Sequence, residues 1–110
     1  MEVQIRTVDD ITVVEPSGEI DSNSAPELQE QMTPLLQPGA KLLMDMSRVE
    51  FMSSAGLRIM LLIYRQMADT GKIVLVGLTP GIQDSMSATG FLKFFTLADT
   101  LDEGVKVLNG

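Results

Sequence analysis

The chain has 110 residues, fifteen acids against eight bases and a net charge of −7, enough to fold round one core and too acidic to favour phosphate backbones or anionic lipid as partners. It contains no cysteine and no histidine, which removes disulfides, thiol chemistry, Ser-His triads and the usual zinc sites. Its longest apolar run, Ile59 to Tyr64, is far short of the roughly 20 residues that span a bilayer, and the alternating "MEVQIRTVDD" does not read as a leader. A single domain over 1–110, acting in the cytoplasm without membrane insertion or nucleic acid, is the expectation.

In chain order, "VQIRT" and "ITVVEP" alternate apolar and polar residues about a "VDD" turn, the pattern of a β-hairpin. This reading puts Val3 and Ile5 on the same side as Ile11 and Val13 and ends the second strand at Pro16–Gly18. In "SAPELQEQMTPLL", Ser24 and Glu27 have capping-box spacing and Pro26 lies in the first turn. Leu28, Met32, Leu35 and Leu36 then recur at helical spacing. "KLLMDM" is a short apolar run bounded by turn residues, as expected of a strand buried on both faces.

"FMSSAGLRIMLLIYRQM" follows. Its stretch from Leu57 to Met67 is apolar enough to predict a helix buried over most of its surface. Arg58 and Arg65 mark its wet edge, and Asp69 has i,i+4 spacing to Arg65. "KIVLVGL" reads as a second inner strand. Thr79 caps a third helix with Pro80 at its first position, Ile82 and Met86 inward and Gly90 at its close. "FLKFFTL" is predicted as a strand, and Asp99 or Thr100 caps a last helix carrying Leu101, Val105 and Leu108 inward. The predicted order is β-β-α-β-α-β-α-β-α, an α/β fold with a mixed, mostly parallel sheet.

Parallel strands bring their C-terminal ends to one edge, where open α/β sheets bind ligands. That edge should gather Asp21 with Ser24, Ser53 with Ser54, and Thr79. Helix starts there present free N–H groups and a positive dipole end, a setting that tolerates a phosphate. Two readings of the paired serines stand: helix capping, or one hydroxyl that accepts a phosphoryl group. Ala55 and Gly56 leave room for another protein's active site to approach. Asp21 fits an Asx turn, and Asp45 a strand-end carboxylate held by backbone N–H groups. The internal methionines fit core filling. "GLTPG" lacks the length and lysine of a P-loop, and no Ser, Asp and Lys pair has catalytic spacing. No cofactor, metal site or enzymatic activity is expected.

The segments "GEIDSNSAPELQEQM", "LLMDMSRVEFMSSAGLRIMLLIYRQM" and "GKIVLVGLTPGIQDSMSATGFLKFF" resemble a STAS domain of the anti-sigma-factor antagonist type, over about residues 3–108. The most specific part is a strand end, a "D-S/T-x-G-L" turn and an apolar helix, with an acidic loop upstream. The resemblance implies that Ser54 is the phosphorylated turn residue, with Ser53 standing where the family has Asp and offering an alternative acceptor. It places Asp21 beside that residue on a partner surface that would include Ser22, Ser53, Ser54, Ala55, Gly56, Leu57, Arg58 and Thr79. The implied partners are an anti-sigma factor that is also a serine-protein kinase, and a PP2C-type phosphatase. The implied function is partner switching, in which the unphosphorylated domain binds the kinase and phosphorylation releases it. The Asp-to-Ser53 departure keeps a second reading open, a non-phosphorylated accessory subunit of a transport ATPase or other regulatory complex. A small-molecule or nucleotide sensor at the same edge is a third.

Overall fold

The computed structural model describes residues 1–110. Its strands are β1 (Glu2–Val8), β2 (Ile11–Ile20), β3 (Lys41–Asp45), β4 (Val49–Met52), β5 (Lys72–Val76) and β6 (Thr96–Ala98). Its helices are α1 (Ala25–Met32), α2 (Ser54–Met67), α3 (Pro80–Ala88) and α4 (Leu101–Asn109), with 3-10 turns at Thr33–Leu35 and Leu92–Phe94. The main sheet runs β1-β2-β3-β5-β6, with β4 paired to β2. Only β1–β2 is antiparallel; β2–β3, β2–β4, β3–β5 and β5–β6 are parallel.

Strict alternation along the inner strands sorts the core into two layers. Leu42, Met44 and Leu75 face α1, α2 and α3, where they meet Leu28, Met60, Ile63 and Ile82. Leu43, Val74 and Val76 face the other way, against Leu108 of α4. All seven internal methionines lie in the larger layer, where an unbranched thioether fills irregular gaps between helix and sheet.

Four local expectations give way. The hairpin register pairs Val3 with Pro16 and Ile5 with Val14, so Val3 and Ile5 lie on the opposite face from Ile11 and Val13. A two-residue loop sets this register, and β2 is apolar on both faces, so its pattern alone does not choose one. The second strand does not stop at Pro16–Gly18. It runs on to Ile20 through a bulge at Gly18, whose φ of +101° suits glycine. The extension gives Val49–Met52 a partner, so "VEFM" is a strand that the predicted order lacks. In "FLKFFTL", Leu92–Phe94 wind into a 3-10 turn and only Thr96–Ala98 pair.

Helix α2 is one-sided. Gly56, Leu57, Met60, Ile63 and Met67 are buried, while Leu62, Arg65 and Gln66 are exposed. Its outer face meets water because the sheet lies on one side only. The ion pairs are Lys41–Asp10 and Arg48–Glu15, so Arg65 and Asp69 do not pair despite their spacing.

Candidate functional site

The site is built on the β2–β4 pair. Ile20 sits opposite Met52, and the Ser53 N–H continues the ladder by donating to the Ile20 carbonyl at 2.9 Å. The next residues of the two strands, Asp21 and Ser53, therefore leave the sheet side by side. Each opens a helix, but they do so differently.

At the start of α1 the polar groups satisfy one another. The Asp21 carboxylate accepts from the N–H groups of Asn23 (2.9 Å) and Ser24 (3.0 Å), an Asx turn. The Ser24 hydroxyl donates to the Glu19 carbonyl at 2.6 Å and accepts from the Asp21 N–H at 3.0 Å. Ser24 is thus tied back to β2 and caps nothing, and the capping box with Glu27 does not form. Its backbone is already helical (φ −92°, ψ −23°), so the capping role falls three residues upstream. The N–H donors of Ser24 and Asn23 hold the Asp21 carboxyl below its ordinary value. Ser22 is exposed and takes no part.

At the start of α2 the two serines divide the labour. Ser53 is extended (φ −79°, ψ 177°) and its hydroxyl accepts from the Gly56 N–H at 3.3 Å, so it is the cap. Ser54 is the first helical residue; it is exposed, and its hydroxyl makes no hydrogen bond within the protein. Gly56 is buried, and a Cβ there would stand 2.8 Å from the Ile20 carbonyl oxygen and 2.7 Å from Met52 Cγ. The absence of bulk at Gly56 is required from inside, by the close approach of α2 to β2 and β4. It opens no route for a partner, contrary to the sequence reading. Ala55 is half-buried.

Ser54, Leu57, Arg58 and Leu61 line one side of a groove of about 340 Å³, and Thr89 and Phe91 line the other. Leu57, only 6% exposed, can form the floor of this groove but offers little surface of its own. Arg58 is exposed, one turn beyond Ser54, and free of any acidic partner. Thr79 is half-buried and its hydroxyl accepts from the Ile82 N–H at 3.4 Å, capping α3. It shares the sheet edge, but β5 is separated from β2 by β3, and it does not line the groove. Leu61 follows Ser54 and Arg58 along α2, whereas Thr89 and Phe91 had no signal in the sequence; they flank Gly90, whose φ of +79° turns the chain at the end of α3.

Asp45 accepts from the Ser47 N–H at 3.1 Å, the backbone role its position suggested. No cluster of acids is arranged to hold a metal ion, and no helix is long and apolar enough to cross a membrane.

With this geometry in place, the sequence profile of the STAS domain matches residues 2–104. The chain belongs to the STAS domain family. Among its relatives is BtrV of Bordetella bronchiseptica, assigned as an anti-sigma factor antagonist, which is 28% identical over 91% of this chain and 88% of that protein. The crystal structure of an anti-sigma factor antagonist from Mycobacterium paratuberculosis is 29% identical, with a TM-score of 0.88 over 99% of this chain and 94% of that one. A Thermotoga maritima structure, 19% identical, shares the fold with a TM-score of 0.89 over 98% and 95% of the two chains. The mixed sheet, with α1, α2 and α3 on one face and α4 on the other, is thus a STAS fold.

Proposed function

We propose that this STAS domain is an anti-sigma-factor antagonist that works by partner switching in the cytoplasm. With Ser54 unmodified, it binds an anti-sigma factor that is also a serine-protein kinase. The kinase transfers the γ-phosphoryl group of its ATP to Ser54 Oγ. The Oγ–P bond forms, the bond to the departing ADP oxygen breaks, and the hydroxyl proton passes to a base on the kinase. The modified domain is released, and a PP2C-type phosphatase hydrolyses the phosphate ester and restores binding. The domain supplies the hydroxyl and the docking face and carries out no step itself.

The observation that carries this reading is the Ser54 hydroxyl, exposed and unpartnered where α2 begins. Capping is already done by Ser53, so Ser54 is chemically spare. The antagonist relatives point to the same class of partner. The docking face of the proposal is Asp21, Ser22, Ser53, Ser54 and Ala55 with the groove wall of Leu57 and Arg58; Gly56 is buried beneath it, and Thr79 lies at its margin. Adding about −2 charge there changes what a partner meets while leaving the fold intact.

The test is phosphopeptide mapping after incubation with the kinase that co-purifies with the domain. Label is expected on Ser54, none in Ser54→Ala, and full partner binding by Ser54→Ala. Ser54→Asp should weaken binding about a hundredfold, equivalent to about 3 kcal/mol. Label on Ser53 would move the acceptor. Recovery of a transport ATPase without a kinase would replace switching with docking, and heat on titrating ATP or GTP into the free domain would replace both with a sensor.

A further inference from the structure

Strand β1 ends the sheet, with no strand beyond it. It is seven residues long, unbroken by proline, and carries Ile5 at 44% exposure. Natural edge strands of this length are usually shortened, covered or charged against self-pairing. Here the charges are placed to permit it. Asp9 and Asp10 form a two-residue turn between Val8 and Ile11, which makes Val8–Ile11 a hydrogen-bonded pair. Alternation then turns the N–H and C=O groups of Val3, Ile5 and Thr7 toward the free edge.

We infer that two copies of this chain associate through β1, antiparallel and about a two-fold axis at Gln4, to join their sheets. In this register Glu2 faces Arg6 of the second copy and Arg6 faces its Glu2, giving two reciprocal opposite-charge pairs. On the other face Val3 lies opposite Ile5, twice, covering the exposed isoleucine. Val3 and Ile5 are the residues whose backbone groups point outward, so the two Val3–Ile5 pairs supply four inter-strand hydrogen bonds. Shifting the axis to Ile5 keeps the backbone pairing but sets Glu2 against Val8 and Arg6 against Gln4, losing both charge pairs. An axis between residues would oppose outward groups to inward ones and forbid pairing. Charge complementarity therefore selects one register, and the seam is locally neutral although each chain carries −7. A single strand pair is a small interface, so the association is a weak, concentration-dependent one. It uses neither α2 nor Ser54 and stands apart from the switching proposal.

The chain has no cysteine, so single cysteines report the register. Gln4→Cys should place two sulfur-bearing residues opposite each other in a non-hydrogen-bonded pair, with Cα atoms about 4.5 Å apart, inside disulfide range. In Ile5→Cys the two copies would be roughly 8 Å apart and should cross-link far more slowly. Sedimentation equilibrium at low salt should give a monomer–dimer equilibrium. Glu2→Arg or Arg6→Glu alone should raise its Kd about tenfold, and the double swap should restore it to within about threefold. Thermal melts of each variant guard against unfolding. A monomer at every concentration tested, faster cross-linking of Ile5→Cys, or a Kd insensitive to the single reversals would each overturn the inference.

Discussion

Two helix starts stand side by side at the ends of β2 and β4, and they use the same kinds of residue to opposite ends. Around α1, Asp21 and Ser24 close on one another, on the Asn23 N–H and on the β2 backbone through four hydrogen bonds of 3.0 Å or shorter. Around α2, Ser53 makes one long bond at 3.3 Å and Ser54 makes none. A hydroxyl near a helix start is therefore not informative by its residue type. What separates structure from available chemistry is whether local backbone groups have already claimed it.

The largest effect should come from the feature that holds the two starts together. Gly56→Ala puts a methyl group 2.8 Å from the Ile20 carbonyl oxygen, a clash with backbone that calls for a shift of α2 from the β2–β4 pair or a distortion of that pair. Chemical denaturation should show a net loss of about 1–3 kcal/mol, even though alanine is the better helix former by about 1 kcal/mol. A gain in stability would mean that α2 rides free of the strands, and the side-by-side placement of the helix starts would lose its physical basis.

Next comes the lock itself. Ser24→Ala removes the donor to the Glu19 carbonyl and the acceptor for the Asp21 N–H at a site only 9% exposed. Stability should fall by about 1–2 kcal/mol, because two backbone groups lose their partner together. At the second start, Ser53→Ala should cost about 0.5–1 kcal/mol, whereas Ser54→Ala should stay within about 0.5 kcal/mol of the wild type. Equal losses at the two α2 serines would show that Ser54 also serves the helix, and would erase the contrast between the starts.

How much of this was legible from the residues alone follows the range of the interactions. Local chemistry read well: Thr79 before Pro80, the apolar runs of β3 and β5, the Asx turn at Asp21 and the backbone-bound Asp45 each depend on neighbours within a few positions. Several of the failures turn on a partner outside the local window, although the hairpin register, set by a two-residue loop, is a local one. "VEFM" shows no alternation, with Val49 and Met52 buried and Glu50 and Phe51 exposed, and becomes a strand only because β2 bulges at Gly18 and extends to meet it. Ser24 and Glu27 had the spacing of a capping box, but the Glu19 carbonyl, on the strand before, was the stronger claimant. The far wall of the Ser54 groove belongs to the α3 end, placed by tertiary packing that no short window encodes. The division of roles between Ser53 and Ser54 lies between these cases: the pair was visible, but its φ/ψ values decide which serine caps.

The smallest expected effect concerns charge at the locked start. The Asp21 carboxyl is held below its ordinary value by the N–H donors of Ser24 and Asn23. A depressed folded-state value means that the unfolded chain binds the proton first as pH falls. The resulting stabilisation is fully present above about pH 4, the unfolded range for aspartate, and fades as pH drops through the lower folded value. Asp10, lowered by its bond to the Lys41 ammonium, loses its contribution in the same direction, so the wild-type profile alone cannot isolate Asp21. Asp21→Asn keeps an amide oxygen to accept both N–H bonds but cannot titrate. The difference in Tm between wild type and Asp21→Asn should therefore be largest near pH 6 and shrink below pH 4, while Asp10 acts equally in both proteins. A constant difference across that window would show that the turn is held by geometry alone, and that the carboxylate charge at the start of α1 is as uncommitted as the Ser54 hydroxyl beside it.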